Sequence, residues 1–162
     1  MIAAPGPIHP WPIGPGPRYQ PIAANAAVRD GRPVGELHCA GGRRFAVHLE
    51  LFADRRVVVV PRGIGVAAKG CRYPVSTDAP TGVVEVLGGR AYTLGDLFRV
   101  WGRRLSATRL LSFRGRVSVF VNGRRARGRP DAVRLAKHDE IVVEVGAHVA
   151  PHVDYLFPKG VG

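Results

Sequence analysis

The chain has 162 residues, 24 Lys plus Arg against 12 Asp plus Glu, and a formal charge of +12 at pH 7. That length suits one domain with a real core, and an apolar share of 46% excludes wholesale disorder. The charge attracts nucleic acid, acidic lipid, an anionic cell-wall polymer or an acidic protein.

Lysine occurs only at Lys69, Lys137 and Lys159, so the basic excess is almost all arginine, a bias that GC-rich coding also produces. No apolar run reaches the roughly 18–20 residues of a transmembrane helix. No basic segment followed by an unbroken apolar one opens the chain, so no signal peptide is expected; either the protein stays inside or a leader precedes this numbering.

Residues 1–33 form a compositional zone of their own. Pro5, Pro7, Pro10, Pro12, Pro15, Pro17 and Pro21 fix φ and remove backbone donors, which predicts an extended arm without helix or central strand. Ile8, Trp11, Ile13 and Tyr19 are its candidate anchors on partner chains. A single domain is expected over residues 34–162.

Period-two alternation begins near Phe45. In Val47-His48-Leu49-Glu50-Leu51 the apolar residues share one face of a strand, and His48 and Glu50 the other. A turn at Ala53-Asp54-Arg55-Arg56 leads into a second strand at residues 57–60, which Pro61 ends. Gly63-Ile64-Gly65-Val66 reads as a short extended piece, residues 70–80 as a loop and residues 83–87 as a further strand.

The clearest element is a helix. Thr93 is its N-cap and Asp96, three residues on, completes a capping box at the positive end of the dipole. Leu94, Leu97, Phe98 and Trp101 form one stripe for packing on a sheet, and Gly102 stops the helix. Trp101 is thereby a core residue.

A strand over residues 117–121 ends in the turn dipeptide Asn122-Gly123. Gly128-Arg129-Pro130-Asp131 is a loop, and residues 141–145 form the last strand. The tail beyond Gly146 is expected to lie extended over the domain. A hairpin, a third strand, one helix and two more strands match an α+β domain, a β-grasp-like mixed sheet with one packed helix.

Cys39 and Cys71 admit one pairing. Bonded, they close a loop of about thirty residues, worth roughly 3–4 kcal/mol in an oxidising compartment; otherwise they are two separate buried thiols. Their spacing excludes redox Cys-x-x-Cys and zinc-finger readings. His148 and His152 straddle Pro151, so they offer no helical His-x-x-x-His site, and solvent exposure is the default for them and for His138. His38 beside Cys39 lacks a third member or oxyanion donor for hydrolysis. The glycines at 63, 65, 88 and 89 precede no helix in a βαβ unit, so they cradle no phosphate. Val161 breaks the terminal Gly-Gly of a sulfur carrier. Arg124, Arg125, Arg127 and Arg129 fall in a loop after a turn, where guanidinium groups reach phosphates.

Several motifs recur in a fixed order: His48-Leu49, Val60-Pro61-Arg62-Gly63-Ile64-Gly65, Cys71-Arg72-Tyr73, Thr93-Leu94-Gly95-Asp96-Leu97-Phe98 with Trp101-Gly102, Val121-Asn122-Gly123, and Tyr155-Leu156-Phe157-Pro158. From about Cys39 to Gly160 the chain resembles a group of exported or membrane-anchored bacterial and archaeal proteins. Their pattern is His-x-His-x-His-Leu, Val-Pro-x-Gly-Ile-Gly, Cys-x-Tyr-x-Leu-His-Thr-His-Asp, Gly-x-x-His, Thr-Leu-Gly-x-Phe-Phe-x-x-Trp-Gly, Val-Asn-Gly and Phe-Pro. The resemblance implies an extracytoplasmic setting and a Cys39–Cys71 bond, and it implies no reaction. Where the group places histidines this chain has Arg44, Ala46, Ser76, Asp78 and Glu85. The ligand set that survives is His48, Asp78 and Glu85, harder donors than an imidazole cluster and shadowed by the positive Arg44.

The expected function is that of a non-enzymatic structural or accessory subunit of an extracytoplasmic assembly, with no cofactor. It would contact other chains or an anionic envelope polymer through the N-terminal arm and the basic loops. A cytoplasmic RNA- or ribosome-binding protein is the alternative, and a metal-binding domain using His48, Asp78 and Glu85 the second.

Overall fold

The computed structural model describes residues 19–160. The anchors Ile8, Trp11 and Ile13 lie outside those residues. A single helical turn, α1 (Ala26–Arg29), is followed by the long strand β1 (Arg44–Ala53), β2 (Arg56–Val58), β3 (Val75–Ser76) and β4 (Val83–Leu87). Then come the helix α2 (Leu94–Trp101), the short strands β5 (Leu105–Ser106), β6 (Arg109–Leu110) and β7 (Phe113–Arg114), then β8 (Val117–Val121), β9 (Arg124–Arg125), a 3-10 turn (Pro130–Ala132) and β10 (Glu140–Val145). The fold is α+β and dominated by sheet. No helix among the described residues is long and apolar enough to cross a membrane.

The main sheet runs β3-β4-β1-β10-β8-β9, with β2 beside the second half of β1. Its two central strands, β1 and β10, are parallel, and the flanking pairs are antiparallel. Asp54 and Arg55, at φ 47° and 67°, make the two-residue turn that returns β1 into β2. The β5-β6-β7 strands form a separate small sheet.

Side-chain alternation gives the main sheet two unlike faces. Val47, Leu49 and Leu51 of β1 join Ile141, Val143 and Val145 of β10 in one apolar cluster with Leu94, Leu97, Phe98 and Trp101 of α2. The helix is capped as its sequence predicts: Thr93 and Asp96 exchange side-chain and backbone hydrogen bonds, and Gly102 at φ 74° ends it. A Cβ at Gly102 would stand 2.6 Å from Asn25, so both conformation and space demand glycine there.

Three stretches differ from the sequence expectation. After the last close-set proline, Asn25 accepts from the Val28 amide and nucleates α1 inside the zone expected to be extended. Val28 is fully buried in the core, and Trp101 Nε1 donates to the Ile22 carbonyl, so residues 22–28 pack on the domain rather than forming a free arm, although the Ile22 side chain itself is exposed. Gly63 and Gly65 adopt φ of 84° and 69°, which turns the piece expected to be extended. The Asn122-Gly123 turn brings Arg124 and Arg125 back as β9 on the sheet edge instead of leaving them in a loop.

Cys39 and Cys71 form a disulfide with Cα atoms 5.7 Å apart, tying the approach to β1 to the loop before β3.

Candidate functional site

The second face of the central sheet carries Ala46, His48, Glu50 and Phe52 of β1 next to Glu140, Val142 and Glu144 of β10. In a half-solvated sheet such a row would meet water. Here His48, Glu50, Glu140 and Glu144 are all buried, Glu140 at 0% exposure. The cover is the extended tail, residues 146–160. Val149 packs with Phe52, Val57 and Val142, His152 is buried, and the Tyr155 ring stacks on His48 at 3.6 Å between centroids.

Burying charge is costly unless each group is paired, and the pairs are present. His48 Nδ1 lies 2.7 Å from Glu140 Oε2, and its Nε2 lies 2.8 Å from the Thr81 carbonyl. Gly82 makes that approach feasible: at φ 84°, a Cβ there would sit 2.9 Å from His48 Nε2 and 2.4 Å from the Leu49 carbonyl. His152 Nδ1 donates to Glu50 Oε2 at 2.5 Å. Nearer the sheet end, Glu144 accepts from the Val149 amide at 2.8 Å and contacts His148 Nδ1 at 2.7 Å.

A carbonyl only accepts, so His48 Nε2 carries a hydrogen. If the ring is neutral, Nδ1 is an acceptor and Glu140 must supply the proton between them; if the ring is a cation, Glu140 is the anion. One proton is shared in either case. Burial lowers the His48 pKa to about 4, and burial together with the neighbouring Glu50 carboxylate raises that of Glu140 far above the ordinary range. Burial also opposes ionisation of Glu50, but the His152 imidazole hydrogen-bonded to it and the neighbouring Glu140 carboxyl outweigh it and hold Glu50 below its usual value. Glu50 is therefore the anionic carboxylate and Glu140 the proton-holding one. Glu140 Oε1, buried, has no hydrogen-bond partner.

The set His48, Asp78 and Glu85 is arranged otherwise. Arg72 bonds Asp78 Oδ1 at 2.5 Å and Glu85 Oε2 at 3.2 Å, placing a guanidinium between the two carboxylates. His48 turns to Glu140 instead. Arg44 donates to the Tyr73 and Ala40 carbonyls. His152, for which exposure was the default, is 2% exposed, because the tail folds it down onto Glu50, while His148 stays exposed. His138 stacks on Phe157.

On the opposite side of the fold, α2, the small sheet and the 3-10 turn enclose an open cleft of about 1290 Å³. Arg99, Arg103, Arg104, Arg109, Arg114 and Arg129 line it, against the carboxylates of Asp96 and Asp131. Arg99 pairs with Asp96 and Arg129 with Asp131. Arg109 of β6 and Arg114 of β7 stand directly opposite each other, and neither has a carboxylate partner among the described residues. Arg103 Nε is buried without a hydrogen-bond partner. Arg129 alone of the sequence-selected arginines reaches this cleft. Arg124, Arg125 and Arg127 are exposed on and after the β9 edge, with Arg125 donating to Ser118 Oγ at 3.1 Å. Tyr19 pairs with Val58 and packs edge-on against Phe113, so this anchor rests on the domain itself.

Sequence reasoning missed Glu50, Glu140 and His152 as a group, and Arg104, Arg109 and Arg114 as a cleft. A signal for the first was present: Glu140 and Glu144 share one face of a strand whose intervening residues are apolar, matching His48 and Glu50 on β1. No protein-family model, curated protein or solved structure matches the chain.

Proposed function

We propose that the protein is a non-enzymatic accessory domain working outside the cytoplasm, and that it binds an anionic envelope polymer in the arginine-lined cleft. The observation that carries this reading is the facing pair Arg109 and Arg114. Like charges directly opposite in an antiparallel pair repel, so the cleft is in want of an anion that lies between them. Guanidinium forks match phosphate and carboxylate oxygens two at a time, and a cleft of one sign raises the local concentration of a polyanion. Exposed Arg124, Arg125 and Arg127 extend the positive field beyond it.

Two further features support the setting. The Cys39–Cys71 disulfide belongs with an oxidising compartment. The strand order, with first and last strands parallel at the centre and one helix across a single face, supports a β-grasp-like reading, a frame that presents loops and edges for binding. Contact of the N-terminal segment with partner chains through Ile8, Trp11 and Ile13 completes the proposal.

The test uses the oxidised full chain with long-chain inorganic polyphosphate as the envelope-polymer surrogate and a single-stranded RNA of equal charge. Polyphosphate is expected to bind at low salt, with at least tenfold weaker binding when Arg104, Arg109 and Arg114 are all changed to Gln. No binding of either polymer at low salt sinks the reading. A marked preference for the RNA turns it toward the nucleic-acid alternative.

A further inference from the structure

The buried polar cluster lies on the other face of the main sheet from α2, and anion binding in the cleft makes no use of it. One donor atom each from His48, Glu50 and Glu140 lies within 4.8 Å of the other two, and all three residues are buried. Two glutamates and a histidine beneath an apolar and aromatic cover are costly to keep for packing alone, since hydrophobic residues of similar volume serve a core as well or better. Independently, Glu140 Oε1 is wholly buried and unpartnered within the same cluster.

We propose that this cluster is a binding site for one divalent transition-metal ion of the zinc class, ligated by His48 Nδ1 and by one carboxylate oxygen each from Glu50 and Glu140. Charge supports the choice. Two carboxylates and a neutral imidazole neutralise a divalent cation, leaving a buried site with no net charge. The imidazole selects against magnesium and calcium, which take oxygen donors. The surroundings have the form that orients ligands: the Thr81 carbonyl accepts from His48 Nε2 and thereby turns Nδ1 inward, and His152 donates to Glu50. Both carboxylates sit on the central strands, where the parallel register fixes their separation. His152 is a positioning residue, and Tyr155 closes the site from the tail. This donor set shares only His48 with the set suggested by sequence.

The experiment uses the oxidised full chain, stripped with a chelator and titrated with zinc chloride in a calorimeter. One equivalent is expected to bind, with a rise in melting temperature that magnesium and calcium do not reproduce. Glu140→Gln and Glu50→Gln are each expected to weaken binding at least tenfold, whereas His148→Ala leaves it unchanged. X-ray absorption of the unmutated, zinc-loaded protein tests the ligands without any variant; one imidazole nitrogen and carboxylate oxygens at about 2.0–2.2 Å are expected. Absence of binding overturns the proposal. So does a zinc shell lacking imidazole, or affinity unchanged in both glutamine variants. Polyphosphate binding by the zinc-free protein reports on the cleft separately, so failure of one proposal leaves the other measurable.

Discussion

His48 and Glu140 sit side by side on the parallel strands β1 and β10, with Nδ1 and Oε2 2.7 Å apart and less than a tenth of either side chain exposed. The pair holds one proton in the folded protein. Facing it are Glu50 from β1 and His152, Asp154 and Tyr155 from the tail.

This arrangement sets an unusual pH dependence for the metal-free protein. Unfolded, the pair titrates at its ordinary values of 4.5 and 6.5; folded, it keeps its single proton from about pH 4 upward to about pH 11. Between 4.5 and 6.5 both states hold one proton, so stability is flat. Above 6.5 the unfolded pair loses its proton while the folded pair retains it, so stability falls as pH rises, by up to about 1.4 kcal/mol per unit. Below 4.5 the unfolded pair takes up a second proton, and stability falls again. Glu140→Gln should abolish the alkaline loss, because an amide donates to His48 without titrating. Urea melts of chelated protein from pH 4 to 9 measure both limbs.

Tail docking is carried by a few contacts, so it should separate from the sheet. Tyr155→Ala removes the ring stacked on His48, and Leu156, next in the chain, is exposed. Amide exchange in residues 149–157 should accelerate at least tenfold in this variant. Exchange in β1 and β10 should change far less, because their apolar face is held by α2. Equal acceleration throughout would mean that the tail and sheet unfold as one unit.

The helix and its cap differ in weight. Trp101→Ala should cost about 3–5 kcal/mol by emptying the centre of the apolar cluster, whereas Thr93→Ala should cost about 1 kcal/mol. Denaturant melts at pH 6 read both.

Removing the disulfide by changing Cys39 and Cys71 to Ser opens a crosslink across 32 positions of sequence and should cost about 3–4 kcal/mol. The variant should still bind polyphosphate at a temperature where it remains folded, since neither cysteine lines the arginine cleft.

Local chemistry made the helix legible in the sequence: the Thr93 and Asp96 box, the apolar stripe and Gly102 all act within ten residues. The alternation in β1 likewise placed His48 and Glu50 together on the face away from the helix. What it could not supply was the parallel neighbour, because His48 and Glu140 are 92 residues apart and meet only through the register of β1 with β10. His152 was assigned to solvent by its type, yet 102 residues of separation close when the tail returns to Glu50. The arginine cleft was hidden for a related reason. Arg109 and Arg114 belong to two-residue strands that carry almost no periodic signal, and their facing register is fixed by a turn with Leu111 at φ 55°.

The facing arginines make the salt dependence of polyphosphate binding the most direct measurement. For the oxidised chain, log affinity should fall linearly with log salt, and the slope should shrink by about two to three units when Arg104, Arg109 and Arg114 are changed to Gln. A flat dependence, or a slope indifferent to those three substitutions, would contradict a cleft built to hold an anionic polymer.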